Sequence, residues 1–164
     1  MFGLVTIIFL LLMVVVGPLL YTASPIKTDP LQAYQKPLGK YFFGTDDVGR
    51  DMLARVLFGG RISLSVGIAA MAISITLGTI VGAFAGFFGG ALDFALMRIT
   101  DLFQSLPIVP LLLLVTYLFR DTVRKTFGAD LGIFMIIVGV IGALTWMTNA
   151  RLVRSSFLAL KERE

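Results

Sequence analysis

In the stretch GTDDVGRDMLARVLFGGRISL, from Gly44 to Leu64, six of the sixteen residues between Asp46 and Arg61 are charged. The chain on either side is oily, from Phe2 to Tyr21 and from Ile62 to Leu92. Carboxylates and guanidinium groups in such a patch can pair with one another, hold a helix terminus or meet a charged partner. Asp46–Arg50 and Asp51–Arg55 are spaced four apart, where opposite charges on a helix attract by about 0.2–0.5 kcal/mol each. Thr45 is a suitable N-cap for a helix starting at Asp46, and Asp46 and Asp47 then lie at the positive end of its dipole. A second cluster, Asp93, Arg98 and Asp101, lies at the edge of an apolar run, and Arg98 and Asp101 are three apart. A proton relay is one reading of intramembrane carboxylates. Interfacial pairing of Arg98 with Asp101, beside a glycine-rich turn, is the reading preferred here.

Other chemistry is scarce. The 164 residues contain no His and no Cys, which removes disulfides, thiolate and imidazole metal sites, cysteine nucleophiles and histidine bases. Ser63, Ser65, Ser74, Ser105, Lys36 and Lys40 have no base at an activating spacing, and nothing resembles a Walker A loop. No catalytic residue, metal ligand or cofactor is therefore expected. The net charge of +4 is small and scattered, which fits loops near anionic lipid and not nucleic acid.

The elements that must position these charges are membrane spans. Only 15% of residues are charged, against about 25% in soluble domains, and the mean hydropathy is +0.93. Four segments predict spans. Phe2–Leu20 lacks the basic start of a signal peptide and is too long for one, so it reads as an uncleaved anchor. Ile62–Leu92 carries no charge over thirty-one residues, about 46 Å as one straight helix, so the span is placed at Ser63–Phe84. Its break is expected in the glycine-rich stretch Gly82–Gly90. Leu102–Phe119 contains Pro107 and Pro110, which predict a kink facing other helices or a polar path. Leu131–Met147 is the fourth span. Residues 149–164 predict a separate helix with Arg151, Arg154, Lys161 and Arg163 exposed.

Between the first two spans the long loop, Thr22–Arg61, is irregular in its proline-containing first half. It then forms an amphipathic helix, with Gly59–Gly60 turning the chain steeply into the span. Arg120–Asp130 predicts a short charged hairpin. Gly78, Gly82, Gly86 and Gly90 recur every fourth residue, a stripe that allows close backbone approach in lipid. Gly78 and Gly82 are expected to pack on a neighbouring helix and Gly86–Gly90 to form a turn. The organisation is thus an anchor (1–21), a loop with an amphipathic helix (22–61) and a membrane domain (62–164).

Three segments together resemble a known family. FGTDDVGRDMLARVLFGGRISLSVG is similar to the signature segment of inner-membrane permease subunits of dipeptide, oligopeptide and nickel ABC importers. The positions that match that pattern are Gly44-Thr45-Asp46, Gly49-Arg50-Asp51, Arg55 and Gly59-Gly60-Arg61-Ile62-Ser63-Leu64. GAFAGFFGGALDFALMRITDLFQSLP and ARLVRSSFLALKERE resemble two further parts of the same permeases, in register. The resemblance implies an all-α, polytopic, type I importer permease fold in a bacterial or archaeal cytoplasmic membrane. It implies a companion permease subunit, ATP-binding-cassette ATPase subunits and an extracytoplasmic substrate-binding protein as partners. Asp46, Arg50, Asp51, Arg55 and Arg61 would organise an external elbow. Arg151, Arg154, Lys161, Glu162, Arg163 and Glu164 would lead toward the ATPase dock. Relatives continue into a coupling loop and further spans, so the chain is expected to be an amino-terminal part.

The resemblance also implies a cytoplasmic amino terminus with the charged patch outside. A count of basic residues points the other way, nine on the side of the long loop against five on the side of the termini. The three-segment match is preferred. The rival reading from another class is a non-transporting four-span scaffold whose glycine stripe only holds helices together.

Overall fold

The computed structural model describes residues 1–161, so Glu162, Arg163 and Glu164 of the expected ATPase approach lie outside the described residues. It contains five α-helices and one 3-10 turn: α1 (Phe2–Leu20), a turn at Pro30–Gln32, α2 (Met52–Phe88), α3 (Gly90–Gln104), α4 (Ile108–Phe127) and α5 (Ala129–Lys161). Three helices, α1, α2 and α5, are long and apolar enough to cross a membrane. The pair α3–α4, bent by 80° at its break, makes up to four if it counts as one span. The all-helical, polytopic architecture expected from the sequence is the one observed. The chain divides into two compact units, Met1–Ser65 and Val66–Glu164.

In the first unit α1 carries one proline, Pro18, close enough to the end that the helix stops two residues later. Gly17 faces Leu57, and Gly60 faces Val14. These contacts run antiparallel, and both glycines let the early turns of α2 lie close against α1. Most side chains of α1 remain exposed, as an apolar helix in lipid requires.

The amphipathic helix expected from Asp46 begins six residues later, at Met52, and is the start of α2 itself. Gly59 and Gly60 do not turn the chain; both are helical. Glycine lowers helix propensity by about 1 kcal/mol, but at Gly60 a side chain would run into Val14, so packing decides the conformation.

In the second unit α5 is the central element. Leu144, Trp146, Met147 and Ala150 form a buried cluster, with Val81, Leu111 and Val140 packed around it. Gly78 lies against Trp146 and Asn149, Gly82 against Ala150 and Val153, and Gly86 against Arg154 and Phe157. From the other side Gly142 admits Ile73 of α2. The expected turn at Gly86–Gly90 narrows to Gly89–Gly90, with φ of +67° and +56°. Gly86 is buried in the helix contact, and Gly90 faces open space instead of a helix. The packed stripe thus ends at its third member, Gly86.

Three boundaries also differ from the sequence reading. The charged hairpin at Arg120–Asp130 is mostly helix, because α4 runs through Phe127 and only Gly128, at φ +85°, turns the chain. The tail is not a separate helix; α5 continues from Ala129 to Lys161 without a break. The proline kink is a full interruption between α3 and α4. Pro107 stands as the N-cap of α4 with extended backbone, and Pro110 lies in its first turn, where a missing N–H costs nothing.

Candidate functional site

Two groups of polar residues and one helix break carry what chemistry the fold holds. The first group is the signature segment in the unit Met1–Ser65. Instead of a helix, Gly44–Asp51 is a folded-back loop closed by a bridge between Thr45 and Asp51. Asp46 is its hub. Its Oδ1 accepts from the backbone N–H of Val48 at 3.1 Å and of Arg50 at 2.9 Å, and its Oδ2 accepts from Arg50 Nε at 2.7 Å and from the Arg55 guanidinium. This network answers why a helix does not start at Asp46: the carboxylate caps its own loop. Burial pushes the Asp46 carboxyl upward, yet the bonds from Arg50 and Val48 outweigh it and hold its pKa at about 2.

Gly49 makes the loop possible. Its φ is +76°, and an added Cβ would overlap the carbonyl oxygen of Asp29. Gly44, at φ +72°, is closed in the same way by the Gln35 carbonyl. The segment 29–35 is thereby stitched to the signature: Asp29 N–H to Val48 O, Tyr34 N–H to Asp46 O and Thr45 N–H to Gln35 O. Thr45 is not an N-cap. Its hydroxyl donates to Gln32 O and accepts from Gln35 N–H at 2.8 Å.

Asp51 caps α2 instead, accepting from Leu53 N–H at 2.9 Å and Ala54 N–H at 3.1 Å. Its other oxygen accepts from the hydroxyl of Tyr21, which joins the end of α1 to the start of α2. That bond, with burial and the nearby negative charge, raises the Tyr21 pKa to about 12. The expected Asp51–Arg55 pair is absent among the described residues; Arg55 pairs with Asp46, because Asp51 is occupied by the helix end. Arg61 takes no part in the network: it is exposed and enters none of the ion pairs among the described residues.

The second group lies in the other unit. Arg154 makes a two-pronged bond to Asp93, at 2.5 and 2.6 Å, and Arg151 reaches Asp101 at 2.5 Å. Both pairs join α3 to α5. The expected local Arg98–Asp101 pair gives way to Arg151 because Asp101 and Arg151 face each other across the helix contact, while Arg98 is exposed. Arg154, expected as an exposed tail cation, is half-buried. Lys161 Nζ donates to the carbonyl of Phe87, one residue before α2 ends, at 2.6 Å. Deeper, Asn149 donates to the Ser74 hydroxyl at 3.0 Å, a polar contact in the glycine-lined face between α2 and α5. Spacing gives no hint of these four long-range partners. The only available signal was the chemical one, that cations on a helix packed in lipid need counter-charges.

The third feature is the break itself. Residues 101–110 are all exposed. A cleft of about 200 Å³ opens beside it, lined by Gln104, Leu106 and Ile108 on one side and by Leu144, Thr145 and Thr148 of α5 on the other. Phe103 and Trp146 face each other nearby, ring centroids 6.2 Å apart. Ser105 N–H and Leu106 N–H bond back to the last carbonyls of α3, so the α3 terminus is closed. The cleft therefore combines an apolar floor with three polar side chains. It can admit a polar solute without offering a charge to hold it. No cluster of three or more metal-ligating side chains occurs among the described residues.

Comparison with known proteins covers both units. A profile of binding-protein-dependent transport system inner membrane components matches residues 75–164. A profile of the N-terminal TM domain of oligopeptide transport permease C matches residues 1–37. The chain is 38% identical over 164 residues to the oligopeptide transport system permease protein OppC of Haemophilus influenzae, covering 99% of this chain and 49% of that protein. It is 35% identical over 164 residues to the dipeptide transport system permease protein DppC of Bacillus subtilis, covering 100% of this chain and 48% of that one. The oligopeptide permease OppC of Bacillus subtilis is likewise 35% identical over 165 residues, with 100% and 50% covered. The chain spans about half the length of the curated relatives it matches.

Proposed function

Because the chain belongs to the family of binding-protein-dependent transport system inner membrane components, we propose that it forms part of the membrane path of a peptide importer. The observation that carries this reading is the 80° break between α3 and α4, with Gln104, Thr145 and Thr148 at its rim. A spanning pair cannot leave non-helical backbone facing hydrocarbon; it is tolerated where it lines a hydrated cavity or is buried in protein. Pro107 and Pro110 keep the break from closing into a continuous helix. An uncharged, amide- and hydroxyl-lined cleft suits an extended peptide, whose own groups are amides and whose side chains vary. Peptide cargo is supported by the names of the relatives, which are oligopeptide and dipeptide permeases.

The chain carries no nucleotide-binding loop, so ATP-binding-cassette ATPases would supply the energy from the side where α5 ends. The ties Asp93–Arg154, Asp101–Arg151 and Lys161–Phe87 join α5 to α3 and to the end of α2. A push at the end of α5 would then be carried to the break instead of being lost in bending. The signature loop would face outward, toward the binding protein and a companion permease, with the amino terminus in the cytoplasm. The setting is the cytoplasmic membrane of a prokaryote.

Affinity purification of the tagged chain from its own membranes tests the reading. It should bring down an ATPase and a second permease together, and ATP hydrolysis by the complex should rise with peptide-loaded binding protein. Recovery of the chain with neither protein would favour the non-transporting scaffold. Protease treatment of intact spheroplasts checks the orientation: cleavage between Lys27 and Lys40 is expected before lysis.

A further inference from the structure

The signature cation that the elbow leaves unused points to a ligand of its own. Arg61 is the last charged residue before the uncharged run Ile62–Leu92, and its neighbour Gly60 packs on Val14, six residues inside the end of α1. Its flexible stem lets the charge snorkel to headgroup depth. The neighbouring Ser65 hydroxyl bonds to the Arg61 backbone carbonyl and leaves the guanidinium untouched. Starting at Gly60, the residue before Arg61 in the chain, α1 and α2 enclose an open groove of about 370 Å³ between Leu10, Leu11 and Val14 of α1 and Gly60, Ser63 and Leu64 of α2. Gly60, without a side chain, forms its floor where Val14 approaches. Both parts lie within the unit Met1–Ser65.

We propose that this groove and Arg61 together bind one anionic glycerophospholipid, its acyl chain in the groove and its phosphate on the guanidinium. Charge complementarity selects the occupant. An apolar helix from another subunit would fill the groove but bring no counter-charge to Arg61 at headgroup depth. A zwitterionic lipid would bring its phosphate together with a competing cation. Guanidinium presents a planar fork that matches phosphate oxygens two at a time. The site would fasten the α1–α2 pair to the leaflet on the elbow side, next to the Tyr21–Asp51 tie, and it stands whatever solute passes the break in the other unit.

Native mass spectrometry of the full chain, released from detergent carrying equal amounts of phosphatidylglycerol and phosphatidylcholine, tests it. One phosphatidylglycerol should be retained per chain, at about fivefold the level of phosphatidylcholine, the gain of about 1 kcal/mol that one basic residue makes at an anionic surface. Arg61→Gln should bring the two lipids to parity, and Arg61→Lys should keep part of the preference. Leu10→Trp, which fills the groove while leaving the cation, should lower retention of phosphatidylglycerol. Equal retention of both lipids by the unaltered chain would overturn the proposal. So would undiminished retention in Leu10→Trp, which would leave only a surface cation. Cross-linking of Leu10→Cys to a protein subunit in native membranes, feasible because the chain has no other cysteine, would also overturn it by placing a helix in the groove.

Discussion

Asp46 and Asp93 do the same chemistry in two regions, each taking a two-contact grip on arginine, but they assemble it differently. Asp46 finds every partner within nine residues, two of them backbone N–H groups of its own loop. Asp93 finds Arg154 sixty-one residues away, across a helix contact. The Asp46 hub shapes a loop that is already short; the Asp93 hub exists only when α3 and α5 are packed. The first is therefore a local fold determinant. The second reports on helix packing.

The comparison predicts its own ranking of damage. Gly82→Leu should have the largest effect, because a side chain there meets the Ala150 carbonyl and Val153. Overpacking of this kind costs up to about 3 kcal/mol, and separating α2 from α5 would also disturb the approach of Arg154 to Asp93. A loss of the monodisperse folded chain on size-exclusion chromatography is expected. Asp93→Asn comes next. Breaking a buried pair costs about 3–5 kcal/mol, but Arg154 remains about a third exposed, so about 2 kcal/mol is expected in thermal unfolding. The exchange Asp93→Arg with Arg154→Asp should restore part of it; no recovery would mean the pair is incidental.

Asp51→Ala should cost about 1 kcal/mol through the lost cap. It should also bring the Tyr21 phenol down from about 12 toward the ordinary tyrosine value of 10.0, read as ultraviolet difference absorbance against Tyr21→Phe. Because folding raises this pKa, the stability tied to Tyr21 is complete below pH 10 and is lost as pH climbs through about 12. Asp46 has the opposite sign. Its folded pKa is depressed, so its contribution is present above 3.8 and is lost as pH falls through about 2. Asp46→Asn should remove that acid limb from the unfolding curve. Asp101→Asn should matter least, within about 0.5 kcal/mol, since both members of that pair are about half exposed.

The same division explains what the sequence could announce. Apolar runs located α1 and the apolar middle of α2 and α5, because hydropathy is a property of contiguous residues, but not where α2 begins or that Leu102–Phe119 straddles the break between α3 and α4. The Asp46–Arg50 pair expected from helical spacing is present, but it forms within a loop and not on a helix. The stretch from Asp46 reads as helix because Thr45 offers a capping side chain as suitable as Asp51, the residue that caps α2. Only contacts with residues 29–35, unreadable from spacing, favour the later start. Gly59–Gly60 looked like a turn by propensity, and packing on α1 overrode it. Pro107 and Pro110 announced a disturbance, while its depth, two helices at 80°, depends on how α4 packs against α5. The cross-helix partners of Asp93 and Asp101 were invisible because nothing in a single sequence says which helix faces which.

Cysteine scanning of the break tests the path most directly, since the chain offers a cysteine-free background. Ser105→Cys and Thr148→Cys, in native membranes, should react with a charged, membrane-impermeant thiol reagent, while Leu113→Cys, on the apolar surface of α4, should not. If Ser105→Cys and Thr148→Cys resisted the charged reagent and yielded only to a lipid-soluble one, the break would face hydrocarbon or sealed protein, and the account of a hydrated peptide path would fail.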